Sequence, residues 1–201
     1  MAAHNVLKRA GLEDGQDNWF WIDPLSPGGK EVSAKLLPVA SELRLNAEQA
    51  ITLLAQARAA GKLDNQEALD AMELGARRLD FIGYKFQLAA ACVEDYKQAL
   101  ALAADPSRHE EVSVLLENIQ SNNGRFEDMR DGYALLGQLF EEAWLRDNRP
   151  YWLANNVALY ENATQTWVER ANKFRAVVWN QWWSNHTLPP ANETGLPALG
   201  N

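Results

Sequence analysis

A single cysteine, Cys92, occurs in the 201 residues, so no internal disulfide can hold this chain together. It lies in the apolar run LAAACVEDY, a setting for core filler; a reactive thiol needs an exposed, electropositive site. No apolar stretch approaches the roughly 20 residues that span a bilayer. The opening MAAHNVLKRAG lacks the apolar centre of a signal peptide and reads as the tail of a helix stopped by Gly11, as in a piece of something longer. Clustered basic residues are missing too. No run of basic residues is longer than a pair such as Arg77-Arg78, and a formal charge of −8 argues against a nucleic-acid surface.

Catalytic and metal-binding motifs are equally scarce. The sequence has no Glu-x-x-His pair, Cys-x-x-Cys, His-Glu-x-x-His, Gly-x-Ser-x-Gly, P-loop or Gly-x-Gly-x-x-Gly. Its three histidines, His4, His109 and His186, are far apart in the chain and near segment ends, which suits solvated surface positions. The acidic residues fall between apolar positions, as on solvated helix faces. No cofactor and no metal are expected. The two-residue alternation of a half-buried strand is also absent over any useful length.

What the chain has is helical periodicity. After a mixed lead-in, residues 1–34, residues step by threes and fours from about Lys35: Leu36, Val39, Leu43, Ala50, Leu53 and Ala57, with Asn46 the polar exception between Leu43 and Ala50. Pro38 either opens that helix or kinks it. Gly61 ends it, with Asp64 or Asn65 as the next N-cap. A second seam runs through Gly75, Leu79, Ile82, Phe86, Ala89, Val93, Tyr96 and Leu100, the spacing of a helix between near-parallel neighbours. Pro106 closes it and suits the first turn of the next helix.

The third seam holds Val112, Leu115, Ile119, Phe126, Met129, Tyr133, Leu136, Phe140 and Ala143. SNNG at 121–124 has loop composition, yet the stepping carries across it in phase, with Asn122 at a seam position. That predicts one long helix from Pro106 to Asp147. A fourth seam, Leu153, Val157, Tyr160, Thr164, Trp167, Ala171, Phe174 and Val178, follows an expected N-cap at Asn148 with Pro150 in its first turn. Residues 184–201, rich in Pro, Gly and Asn, read as a flexible tail. The expected fold is all-α: an up-down antiparallel bundle of about four long helices over 35–183, with an irregular lead-in and a disordered tail.

Tryptophan is in surplus. Eight are present, concentrated in NWFWIDP, RPYWL and WNQWW, more than a narrow bundle core requires. Trp and Tyr combine large apolar area with a polar edge and so suit interfaces as well as cores. Trp19, Trp21, Arg146, Arg149, Tyr151 and Trp152 are therefore the candidate contacts with a partner or a sugar rim. The arginines would fork onto carboxylates or carbonyls and the rings would supply flat apolar area.

ARRLDFIGYKFQLA (76–89) and RDGYALLGQLFEEAWLRDNRPYWLANNVALYENATQTW (130–167) resemble the helical region that follows the catalytic barrel in a subset of bacterial glycoside hydrolase family 20-like proteins, β-N-acetylhexosaminidase-like enzymes. WLRDNRPYWLANN carries most of the likeness. The resemblance implies a non-catalytic accessory domain packed on a (β/α) barrel, in cis or in trans, in a position to shape the substrate rim; a longer glycosidase would imply a periplasmic or secreted setting. That family's chemistry rests on an adjacent Asp-Glu pair. Here no Asp is followed directly by Glu, so no catalytic residue carries over. The alternative is a free-standing helical module that binds another protein through its aromatic ends.

Overall fold

The computed structural model describes residues 2–12, 16–61 and 65–197, and among them there is no strand. In chain order the helices are α1 (Ala2–Arg9), α2 (Gln16–Trp21), α3 (Pro27–Ala60), α4 (Gln66–Leu102), α5 (His109–Ile119), α6 (Arg125–Asp147), α7 (Leu153–Phe174), α8 (Asn180–Asn185) and α9 (Ala191–Thr194). A 3₁₀ turn, Pro106–Arg108, precedes α5, and a π turn, Arg175–Trp179, joins α7 to α8.

α3 starts eight residues earlier than the apolar pattern suggests. Ser26 caps it by accepting the Gly29 N–H at 3.0 Å, and Pro27 occupies the first turn, where a missing N–H costs nothing. Pro38 is interior. Gly29, Val32, Leu36, Ala40, Leu43 and Ala47 form its buried stripe; beyond Ala47 no residue of α3 is buried, and Leu53 is exposed. The seam read from sequence is thus right in its first half and fades in its second.

α4 is the central helix. Arg44 reaches Asp80 and Gln87, and Gln87 reaches Ser41, which sets α3 antiparallel to it. Arg125–Asp95, Tyr84–Asp128 and Arg146–Asp70 set α6 antiparallel along its other side. Buried on several faces, α4 contributes Phe81, Ile82, Phe86, Ala89, Cys92, Tyr96 and Ala99 to the core; Leu79, Val93 and Leu100 pack at its margin, and Gly75 is exposed. Burial drives the Cys92 thiol up to about 12, in keeping with inert filler.

The third segment is broken. α5 stops at Ile119, Gln120 is extended, and α6 begins only at Arg125. Ser, Asn and Gly are weak helix formers. Gly124 lies so close to the preceding turn that an added Cβ would stand 2.6 Å from the Ser121 nitrogen. Asn122, which keeps the phase, is exposed and not in the seam. α7 and its π turn form the other arm of this hairpin, with Ser113 opposite Trp182, Gln120 opposite Trp179, and Phe126 opposite Phe174. Of the fourth seam, Leu153, Tyr160, Trp167, Ala171, Phe174 and Val178 are buried, whereas Val157 and Thr164 are only half-buried.

The two ends of the chain pack onto this frame. α1 lies antiparallel on α3, held by buried Val6 and Leu7 and by an Arg9–Glu42 pair at 2.5 Å. The sequence suggested a flexible tail from residue 184; through Pro197 it is instead placed against the bundle. Ala191, Thr194 and Leu196 are buried, and Tyr96 donates its hydroxyl to Pro189 O at 2.7 Å. Residues 198–201 lie outside the described residues.

Candidate functional site

The turn between α6 and α7 is built by its own backbone. Asn148, expected to cap α7, instead ends α6, its N–H bonded to Trp144 O at 2.9 Å. The Trp144 indole donates to Arg149 O at 3.0 Å. Helix α7 opens at Leu153, because Trp152 adopts a left-handed conformation, φ 62°, that a helix cannot continue. The Trp152 carbonyl accepts the Asn156 N–H at 3.2 Å and the Asn156 side chain at 3.0 Å. A left-handed bulky residue is strained by about 1–2 kcal/mol, and such outliers cluster at functional positions. The consequence is exposure: Tyr151 is 72 % and Trp152 73 % accessible.

The two arginines beside them differ. Arg146 is already committed inside the chain, paired with Asp70, which also takes Arg58 at 2.6 Å. Glu73 completes this network with Arg58 and with Arg77 at 2.6 Å. Burial alone would raise the Glu73 pKa, but the bonds from Arg77 and Arg58 prevail and hold it below the ordinary carboxylate value. Asp70 takes only Nη1 of Arg146, whose side chain stays 56 % exposed. Arg149 is exposed and forms no ion pair among the described residues.

Trp19 and Trp21 are not part of this surface. Both are half-buried. Trp19 donates to Leu12 O at 2.7 Å. Trp21 meets Phe20 at 4.6 Å and Tyr160 at 4.8 Å, edge to face in each case. A row of rings continues from Tyr160 to Phe140 (5.5 Å) and Trp144 (5.6 Å), reaching the base of the Arg149 turn. Tyr151 and Trp152 are outside that row.

The sequence reading overlooked Lys85. It is fully buried, and its ammonium donates to Phe20 O (2.6 Å), Ile22 O (2.8 Å) and the Tyr133 hydroxyl (3.0 Å), while Tyr133 donates to Phe20 O at 2.6 Å. These carbonyls sit at the C-terminal end of α2, where a cation satisfies acceptors that have no helical partner. Burial pulls the Lys85 pKa down to about 7, partly opposed by the Asp23 carboxylate. Asp23 is itself gripped by Arg170 at 2.6 Å. With every ammonium proton used and no access to solvent, Lys85 is a clasp fastening the lead-in to α4 and α6. A lysine in GYKFQ, next to seam residues Ile82 and Phe86, was the available signal.

Folding brings two of the histidines together: half-buried His109 and exposed His186 stack at 4.4 Å and 11° beside Trp182, while His4 is exposed as expected. Among the described residues no group of three or more His, Cys, Asp or Glu stands close enough to hold a metal ion. No described helix is long and apolar enough to cross a membrane. Comparison with family models, curated proteins and solved structures finds no match to this chain.

Proposed function

We propose that this chain is a helical docking module that binds a partner protein through the turn between α6 and α7. One observation carries the reading. Tyr151 and Trp152 are almost fully exposed on a backbone that is hydrogen-bonded into place, whereas Trp167, Trp179 and Trp182 are buried. Rigid aromatic residues that reach solvent are the anchors of protein interfaces. Arg149 adds a guanidinium for carboxylates or carbonyls on the partner. In its narrower form the reading makes the partner the catalytic barrel of a family 20-like glycoside hydrolase, with the module in an accessory role. The WLRDNRPYWLANN string alone supports that form. Calorimetric titration of the wild-type chain against such a barrel tests the narrower form, and the same titration with Trp152→Ala tests whether this turn is the docking surface.

A further inference from the structure

The last part of α3 keeps its apolar stepping after its burial ends. From Ala47 the spacing runs on through Ala50, Leu54 and Ala57, yet no α3 residue beyond Ala47 is buried. On antiparallel α4, Met72, Gly75 and Leu79 step in the same way. The two rows line one groove, and α1 stops against it, with Ala2 and Ala3 forming one wall. Steps of three and four are the mark of a helix packed on near-parallel helices. Here α1 supplies such a neighbour only as far as the edge of the groove. Beyond that edge the groove is open, and Leu53 is 64 % and Met72 60 % exposed in it.

Charge and shape narrow what can cover this face. None of the residues lining the groove carries a charge, in a chain that is 23 % charged with a formal net charge of −8. A nucleic acid, an anionic surface or a basic peptide finds nothing to pair with. Another copy of the chain, repelled elsewhere by its own net charge, meets no like charge here. The contour is uneven in a useful way. A Cβ added at Gly75 would meet nothing within 4 Å, so Gly75, with Ala50 and Ala76, leaves a hollow beside the projecting Leu53 and Met72. Projection and hollow share one face. A two-fold interface requires just that, because each copy must offer both halves of the contact.

We propose that two copies of this chain associate through the groove, the α3/α4 hairpin of one packing face to face on that of the other as a four-helix bundle. Leu53 and Met72 of each copy enter the hollow over Gly75 and Ala76 of the other. An uncharged, apolar lining is the composition of homodimer contacts. The extent of the face sets the strength. From Ala47 to Ala60 α3 rises about 20 Å, and two helices side by side are about 20 Å wide, so each copy offers roughly 400 Å² in projection. That lies at the small end of specific interfaces, which bury about 1,200–2,000 Å² in total. The dimer is therefore weak, with a dissociation constant on the order of 100 μM.

Sedimentation equilibrium of the full chain from about 10 μM to about 1 mM spans that value. The average mass is expected to rise from 22.5 kDa toward twice that figure and no further. Leu53→Glu and Met72→Glu place a carboxylate in the groove at positions exposed in the monomer, so the fold survives and circular dichroism is unchanged. Each is expected to hold the mass at the monomer value throughout. Leu135→Glu, at a comparably exposed apolar position on α6 outside the groove, leaves association intact. So does Trp152→Ala, which separates this proposal from the docking reading. A wild-type chain still monomeric at about 1 mM overturns the proposal. Association that survives both groove variants, is lost equally in Leu135→Glu, or climbs past two copies overturns it as well.

Discussion

Trp179 donates its indole N–H to Gln120 O at 3.1 Å, joining the point where α5 stops to the π turn that follows α7. The two irregularities face each other in one hairpin. On either side of them the arms stay in antiparallel register, with Ser113 against Trp182 and Gly137 against Tyr160. The indole satisfies a buried carbonyl beyond the end of α5, where the helical ladder supplies no donor.

Replacing Trp179 with Phe keeps a ring but removes that donor. A buried acceptor left unpaired costs about 1–3 kcal/mol, and urea denaturation is expected to show a loss in that range. Trp144→Phe, which frees the carbonyl of exposed Arg149 to bond water, is expected to cost less.

Phe86 is fully buried on α4, and Leu79 is only half-buried. Phe86→Ala is expected to destabilise by about 3–5 kcal/mol, with Leu79→Ala costing clearly less. Equal unfolding midpoints for the two variants would put the wrong face of α4 in the core.

Glycine substitutions probe how closely α6 approaches α4. A Cβ at Gly132 would lie 2.1 Å from the Phe81 ring, so Gly132→Ala forces the helices apart, at about 1–3 kcal/mol. At Gly75 a Cβ meets nothing within 4 Å, and Gly75→Ala in an exposed helix position gains about 0.5–1 kcal/mol. Thermal unfolding of the pair should therefore move in opposite directions.

Lys85 gives the stability a pH signature. Its folded pKa, about 7, lies below the ordinary 10.5, so between these values the unfolded chain binds more protons and stability rises with pH. Cys92, pushed up to about 12, acts in the opposite sense above its ordinary 9.0. Stability is thus expected to climb between pH 7 and 9, at up to about 1.4 kcal/mol per pH unit. In Lys85→Met that climb disappears. A wild-type chain whose urea midpoint is flat across the window would refute the assignment.

The helical fold and most of the fourth seam were legible because apolar spacing directly reports a buried stripe. Local chemistry that competes with spacing was harder to read. Ser26 and Pro27 start α3 within a stretch whose Pro-Gly-Gly composition suggests a loop. Asn122 kept the phase across a real break because the second arm of the hairpin, through its π turn, holds both halves in register. Lys85 left no mark in the apolar spacing, because the two carbonyls it binds, Phe20 O and Ile22 O, reach it only when the lead-in folds back onto α4. The exposed turn was legible in part. Its aromatics were identifiable by their excess, but the commitment of Arg146 to Asp70 depends on a partner 76 positions away.

Calorimetric titration of the chain against a family 20-like barrel stripped of its own helical region tests the docking account most directly. The account predicts saturable one-to-one association with the wild type. It predicts at least about 2 kcal/mol weaker binding for Trp152→Ala, the scale of a buried tryptophan anchor, with the variant's circular dichroism and unfolding midpoint unchanged. No association with the barrel would contradict the glycosidase form of the reading. Binding unaffected by Trp152→Ala, or a variant that unfolds, would contradict the assignment of this turn as the docking surface.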